Sequence, residues 1–202
     1  MIKTKYIPSK CINLEESLRE FLDIPEITNS LDKEHIERTP KRIVNAMMEM
    51  VDGLFQTPEA ALDTLFINKK YDEIVYINDI SFSSLCAHHW LSFIGKMHFG
   101  YLPNKNIVGL SKIPRLINVY AKRPQVQENL TQEIVDSFMR IVKPKGCGLV
   151  VEAYHLCMSV RGVQQHNAYT KTTALRGSFK TNESTKQEFL NGIRKTTEQL
   201  WP

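Results

Sequence analysis

The hydrophobic pattern of this chain changes its period after Lys70, and this change limits the folds that the sequence can adopt. Residues 72–82, DEIVYINDISF, are rich in β-branched and aromatic residues and predict a strand, as do residues 91–102, LSFIGKMHFGYL. Residues 147–160, CGLVVEAYHLCMSV, predict a third strand, and residues 168–179, AYTKTTALRGSF, predict its antiparallel partner. The sequence therefore contains two pairs of strands.

Helices are predicted before, between and after these pairs. The first third of the chain has apolar residues at helical spacing, and so do residues 111–120 and 130–142. Thr185 and Glu188 form a capping-box pattern for a last helix. This order of helices, two strands, two helices, two strands and one helix is typical of an α+β fold with an antiparallel sheet.

Length and composition fit an ordinary globular protein. The chain has 202 residues, of which 42% are hydrophobic and 24% are charged. We expect one continuous structural unit, with an N-terminal helical region over residues 1–70 and a sheet-containing domain over residues 71–202. The net charge of +4 is too small to indicate nucleic acid as a partner.

The sequence also bears on the compartment of the protein. Its start, MIKTKYIPSKCINLEESL, has no apolar core of signal-peptide length, and no stretch approaches the roughly 18 apolar residues of a membrane span. We therefore expect a cytoplasmic protein that has no membrane partner. Its four cysteines are too few for a disulfide framework, and reduced thiols are available as metal ligands.

Cysteine and histidine cluster at two places in the sequence. Cys86, His88 and His89 lie within SLCAHHWLSF, while His155 and Cys157 lie two residues apart in the third predicted strand, where alternation would point both side chains one way. Cys86, His89 and Cys157 suit Zn²⁺ and leave a fourth position open for water, as in catalytic zinc sites. His88 and His155 would then carry protons beside the metal.

The same residues also have ordinary explanations. Cys-x-x-His is short enough to arise by chance, Cys157 could be a small buried core residue, and His155 could be a hydrogen-bonded core histidine. Spacing alone leaves the zinc site and these alternatives open.

A basic group follows the second predicted strand. Ser111, Lys112 and Arg115 lie at the start of a predicted helix, and a helix N-terminus beside two cations suits a phosphate group. Arg161, at the end of the strand that carries Cys157, could reach the same cleft. A solvated basic face is the simpler explanation of these charges, and spacing alone favours it.

Gln127 and Glu128 lie at the head of the next helix. A carboxylate there can accept two hydrogen bonds from an amino-amidine edge such as that of guanine. An acidic residue at a helix N-terminus also stabilises the helix dipole, and spacing alone favours that explanation.

Two longer stretches carry a family resemblance. They are residues 86–134, CAHHWLSFIGKMHFGYLPNKNIVGLSKIPRLINVYAKRPQVQENLTQEI, and residues 150–164, VVEAYHLCMSVRGVQ. They resemble GTP cyclohydrolase I, and the resemblance extends over residues 38 to 195. It implies hydrolysis of GTP to 7,8-dihydroneopterin triphosphate and formate, the first step of pterin and tetrahydrofolate biosynthesis. It also implies the tunnelling fold, a four-stranded antiparallel sheet with helices on one face, in a homodecamer of two pentameric rings.

The resemblance also implies roles for individual residues. The implied zinc ligands are Cys86, His89 and Cys157, and the implied catalytic histidines are His88 and His155. Glu128 and Gln127 match the residues that hold the guanine edge. The implied triphosphate cradle consists of Ser111, Lys112, Arg115, Arg161 and Arg42.

Two residues depart from the pattern of that family. Ala87 stands where the family usually has an acidic residue, and Asn45 stands where a basic residue is common. These departures keep two other hypotheses open. One is a paralogue that acts on a different purine nucleotide or stops at a ring-opened intermediate, and the other is a non-catalytic nucleotide-binding assembly protein.

Overall fold

The computed structural model describes residues 10–30 and 32–193, which divide into two compact units between Val51 and Asp52. The boundary predicted at residue 70 falls inside the second unit, and residues 194–202 of the predicted second region lie outside the described residues. None of the described helices is long and apolar enough to cross a membrane. In chain order, the helices and strands are α1 (Lys10–Leu22), α2 (Pro25–Thr28), α3 (Lys33–Met50), a 3₁₀ turn (Asp52–Phe55), α4 (Pro58–Ala61), β1 (Leu65–Ile67), β2 (Val75–Cys86), β3 (Ser92–Leu102), β4 (Asn106–Val108), α5 (Lys112–Ala121), β5 (Pro124–Gln125), α6 (Gln127–Val142), β6 (Gly146–His155), α7 (Leu156–Ser159), β7 (Thr170–Gly177), α8 (Ser178–Thr181) and α9 (Glu183–Gly192).

The first unit is helical, as the sequence predicts for this part of the chain. Its two longer helices, α1 and α3, pack against each other. Arg42 and Asn45 both lie on α3, where Arg42 is exposed and Asn45 is half-buried.

The main sheet lies in the second unit and has the strand order β5-β2-β3-β6-β7. The pairs β2–β3, β3–β6 and β6–β7 are antiparallel, which confirms the predicted α+β class and the four predicted strands. The prediction of four strands is incomplete, because β5 adds a fifth strand that pairs parallel with the end of β2 at Leu85 and Cys86. A strand of two residues has no hydrophobic period, so only its tertiary pairing reveals it.

Helices α5 and α6 cover one face of this sheet. The side chains that β3 and β6 send toward these helices alternate with side chains on the opposite face, as strand geometry requires. Together with the apolar faces of both helices they form the main core, whose fully buried members include Phe93, Met97, Phe99, Leu149 and Phe138.

The last helix lies on the opposite face of the sheet, so the prediction that the helices share one face is wrong for α9. Its Phe189 packs with Val150 and Phe179 in a second, smaller core. Gly100 and Gly148 make room for this ring, since a Cβ on either glycine would lie 2.6–2.8 Å from its atoms. The two glycines, on adjacent strands, thus form the surface against which α9 packs.

The third predicted strand is shorter than the sequence indicates. β6 ends at His155, and Cys157 lies in the one-turn helix α7. Pairing explains the change of conformation, because the last β3–β6 pair joins Phe93 to His155 and the β6–β7 pairing ends at Ala153. The prediction that His155 and Cys157 alternate on one strand is therefore wrong.

Candidate metal centre and substrate site

A tight turn at the end of β2 carries the first two candidate ligands. The backbone N–H of Cys86 donates to the carbonyl of Leu91 at 2.9 Å, while the carbonyl of Cys86 accepts from the N–H groups of His89 at 3.3 Å and Trp90 at 2.9 Å. Trp90 adopts a left-handed conformation with φ 55°. The N–H of Ala87 donates to the carbonyl of Gln125 at 3.0 Å, which ties the turn to β5. Local hydrogen bonds therefore fix the Cys-x-x-His geometry.

The third candidate ligand reaches this turn from α7. The ligand atoms of Cys86, His89 and Cys157 all lie within 4.8 Å of one another. The Sγ of Cys86 lies 3.8 Å from Nδ1 of His89 and 3.7 Å from Nδ1 of His88. Zinc bonds of about 2.3 Å to sulfur and about 2.0–2.1 Å to nitrogen place ligand atoms about 3.5–3.8 Å apart in a tetrahedral site. The three side chains fit a Zn²⁺ ion after only small movements.

The chemistry of the donor set also fits a divalent cation. Burial and the adjacent Cys86 raise the pKa of the Cys157 thiol. Burial and a neighbouring sulfur therefore disfavour the thiolate of Cys157, and a bound cation would offset that penalty. Cys86 is buried, Cys157 is half-buried and His89 is exposed, so the group opens to solvent on its histidine side.

His155 is fixed close to this group by two contacts. Its ring stacks on Phe93 with the centroids 4.6 Å apart and the planes 8° from parallel. Its Nε2 lies 2.7 Å from Oε1 of Gln127. Burial lowers the pKa of His155, and the charge of Glu128 opposes that effect. His155 is therefore held by packing and one short hydrogen bond.

The two residues at the start of α6 have different surroundings. Gln127 is buried, and its Nε2 donates to Val151 O at 3.3 Å, Thr170 O at 3.1 Å and Thr172 Oγ1 at 3.1 Å. Glu128 is exposed and lines a groove of about 460 Å³ between α6 and β7. Only Glu128 of the two presents its side chain to solvent.

The residues that are predicted to bind the triphosphate lie in three places. Ser111 and Arg115 are exposed at the first turns of α5, where Lys112 forms an ion pair with Asp63. The hydrogen bond from Lys112 lowers the pKa of Asp63, and the charges of Lys112 and Arg115 add to that effect. Arg161 is exposed just after α7, and the remaining predicted cation, on α3, belongs to the first unit. The structure thus groups the three α5 residues with one carboxylate.

Comparison with known proteins identifies the family of this chain. The profile of the family described as GTP cyclohydrolase I matches residues 14–194. The chain belongs to this family. GTP cyclohydrolase 1 of Campylobacter lari is 44% identical over 165 residues, which cover 82% of this chain and 86% of that protein. GTP cyclohydrolase 1 of Mycobacterium avium is 44% identical over 168 residues, which cover 82% and 81% of the two chains.

A solved structure, the apo form of an archaeosine synthase QueF-like protein, covers 54% of this chain and 97% of its own with a TM-score of 0.45 and 15% identity.

Sequence patterns did not reveal three residues that hold the site of this family member. Phe93 stacks on His155, but in the sequence it is one apolar residue of an alternating strand. Thr172 contacts Gln127 from β7, and Asp63 pairs with Lys112 across 49 positions of the chain. No spacing rule connects such distant positions, so only the folded chain shows these contacts.

Proposed function

We propose that this chain hydrolyses GTP to 7,8-dihydroneopterin triphosphate and formate, at a zinc centre formed by Cys86, His89 and Cys157. This activity would supply the first step of pterin and tetrahydrofolate biosynthesis. The observation that carries the proposal is the meeting of these three ligand atoms within 4.8 Å, from a turn and a helix about seventy residues apart. Membership of the GTP cyclohydrolase I family and the names of the relatives support the substrate.

The metal and the histidines have separate tasks in this proposal. Bound Zn²⁺ would supply an activated water for attack at C8 of the guanine. His88, exposed beside Cys86, can exchange protons with solvent and donate to the purine. His155, held by Phe93 and Gln127, takes the second proton-transfer role, which serves ring opening and the later rearrangement.

Substrate binding is assigned to the remaining residues that match the family pattern. The exposed carboxylate of Glu128 accepts the amino-amidine edge of guanine, with Gln127 beside it. Lys112 is held by Asp63 in the free chain, and a triphosphate offers it a second anionic partner. The proposed cradle for the triphosphate consists of Ser111, Lys112, Arg115, Arg161 and Arg42.

The tunnelling fold and the homodecamer are part of the same proposal. Within the described residues, β7 is one edge of the sheet, and β2 is covered by β5 only at its last two residues. β2 and β7 run in opposite directions, so β7 of one copy can pair antiparallel with β2 of the next. Open edges of this length call for a partner, and a closed ring of copies removes them.

The decisive experiment combines metal analysis with two product signals. Purified protein of known zinc content is incubated with GTP, and formate release and pterin fluorescence after oxidation are followed together. Cys157→Ala should lose the zinc, the formate release and the pterin fluorescence, because it removes one of three protein ligands. Cys147→Ala is the matched control, since that thiol is buried near Val135 and lies outside the ligand group.

Other outcomes would contradict parts of the proposal. Formate without pterin would show an enzyme that stops after ring opening. Zinc-loaded protein that gives neither signal would show that Ala87 and Asn45 have changed the substrate, and other purine nucleotides would then be tested. Full activity in Cys157→Ala would exclude the proposed metal centre.

A further inference from the structure

The side chain of Gln127 is committed to interactions inside the protein. It is 2% exposed, and its amide group contacts residues of β6 and β7 on one side and His155 on the other. Few buried amides have so many partners, and each partner restricts which end of the amide can face it. The orientation of this amide therefore follows from its surroundings.

A chain of hydroxyl groups fixes that orientation. The Oγ1 of Thr131 donates its one hydrogen to the carbonyl of Gln127 at 2.7 Å. In the contact of 2.6 Å between Thr131 and Thr172, the hydrogen must then come from Thr172. With its hydrogen used, Thr172 can only accept from Gln127, and the carbonyls of Val151 and Thr170 can also only accept. All three partners require the NH₂ group.

The oxygen of the amide consequently faces His155. A reversed amide would place its oxygen against two carbonyls and one hydroxyl without an available hydrogen, which leaves several buried polar groups unsatisfied. Since Oε1 of Gln127 only accepts, the hydrogen in its contact of 2.7 Å with Nε2 of His155 belongs to the imidazole. A neutral imidazole carries one N–H, so its Nδ1 is then an acceptor.

We propose that Gln127 is a positioning residue that holds His155 as the Nε2–H tautomer and leaves Nδ1 as the proton acceptor for the reaction. The inference rests on the proposed function in that it assigns a task to His155 in the hydrolysis of GTP. Gln127 would then act on the reaction by orienting His155, and not by contacting guanine itself. The stack on Phe93 fixes the plane of the ring, and Gln127 fixes which nitrogen carries the hydrogen.

The position of this hydrogen can be measured without substrate. Zinc-loaded, full-length protein labelled with ¹⁵N-histidine is studied by magic-angle-spinning NMR at about pH 8, above the ordinary histidine pKa of about 6.5. The signals of His155 are assigned by their absence from a His155→Gln spectrum. We expect a protonated Nε2 and an unprotonated Nδ1. A protonated Nδ1 in the wild-type protein would overturn the inference, whatever the variants do.

Two variants test the role of Gln127. Gln127→Met keeps the length of the side chain but offers no acceptor, so the His155 signals should change to the Nδ1–H form or to a mixture. With GTP, its kcat should fall about 10- to 100-fold, while KM changes less than about threefold. This loss is smaller than the roughly 10²–10⁴-fold that an acid–base group contributes, because His155 itself remains. Gln127→Glu keeps an acceptor opposite Nε2 and should retain the Nε2–H form that Gln127→Met loses. Its second oxygen faces the carbonyls of Val151 and Thr170, so this variant should also be less stable than the wild type.

A matched control separates positioning from loss of stability. Ser137 lies on the same helix, and its hydroxyl shares a buried hydrogen bond of 2.5 Å with Tyr120. Ser137→Ala should lower stability but leave the tautomer of His155 and kcat unchanged. The inference is refuted if Gln127→Met keeps the Nε2–H form, or if it raises KM alone, as direct binding of guanine would. If the tautomer changes as expected but no protein turns over GTP, the proposed function fails and the positioning role stands.

Discussion

The two faces of the five-stranded sheet differ in what they contain. The face under α5 and α6 is apolar, and Phe93, Met97 and Phe99 on β3 are all fully buried there. His155 projects from the same face at the end of β6, next to Phe93. The proposed catalytic histidine His155 therefore lies at the edge of the better-packed face. A rigid core there can hold its side chain in place.

The opposite face carries charges. Asp79 and Lys96 lie 3.6 Å apart, and Glu152 and Lys171 lie 2.8 Å apart. Since Lys96 pairs with Glu152 in the strand register and Glu152 with Lys171, these side chains form a row of alternating sign across four strands. Such contacts contribute far less than apolar burial. The comparison indicates that most of the stability of the second unit comes from the face covered by α5 and α6, where the larger core lies.

The largest predicted effect lies on that apolar face. Phe99→Ala removes a fully buried ring that contacts Phe138 with the centroids 4.8 Å apart. We expect a loss of about 3–5 kcal/mol in the free energy of unfolding, as for other large-to-small core changes. Urea denaturation at fixed protein concentration measures it. Phe21→Ala, at a side chain that is largely exposed, should change stability by about 0.5 kcal/mol or less.

A smaller effect is expected where α9 packs on the opposite face. An alanine Cβ at Gly148 would lie 2.6 Å from the ring of Phe189 and 2.8 Å from Leu175. Gly148→Ala should therefore cost about 1–3 kcal/mol, the range of overpacking changes. At Gly109 the nearest atom would be 3.9 Å away, so Gly109→Ala serves as the control. Equal melting temperatures for the two variants would contradict this account of the α9 contact.

The charged row should contribute still less. Lys171→Met removes the exposed partner of the buried Glu152, which still has Lys96 opposite it in the strand register, so we expect a loss of about 1 kcal/mol that shrinks at high salt. Lys186→Met breaks a pair with Glu183 in which both side chains are more exposed than Glu152, so its cost should be smaller. A loss in Lys171→Met that approached that of Phe99→Ala would reverse the comparison of the two faces.

The smallest effect is limited to acidic solution. Burial lowers the pKa of His98, whose Nδ1 accepts from the N–H of Asp79. Below about pH 6.5 the unfolded chain then binds more protons than the folded protein. The contribution of His98 to the free energy of unfolding is therefore complete above that pH, and it is lost as the pH falls below it. His98→Gln keeps a polar side chain and removes the titration.

The free energy of unfolding should therefore fall less in His98→Gln than in the wild type between about pH 7.5 and about pH 5.5, which bracket the ordinary histidine pKa. Asp79 and Glu152 oppose the lowered pKa, and Lys171 and Lys96 support it, so the row of charges modulates this response. Identical pH dependence in the two proteins would show that His98 does not contribute.

Several features of the fold could be predicted because their cause is local. The period of apolar residues predicted the four long strands and the helices α5 and α6, and the structure confirms them. Three of the hydrogen bonds that hold the turn from Cys86 to Trp90 join residues at most five positions apart, so the Cys-x-x-His spacing already indicates a tight turn. Only the bond from Ala87 to Gln125 comes from a distant strand. These features depend on neighbouring residues, which a sequence displays directly.

The remaining features depend on residues that are distant in the sequence. β6 ends at His155 because its pairing with β3 and β7 ends there or just before. Cys157 consequently lies in α7, where its thiol approaches Cys86. The short strand β5 and the contact between Gln127 and His155 likewise exist only through tertiary pairing. By itself, then, the sequence determined the four long strands, the helices between them, their order and the residue types of the proposed metal centre. Only the tertiary structure decided which ligands meet and how each is oriented, because register and packing are properties of the whole folded chain.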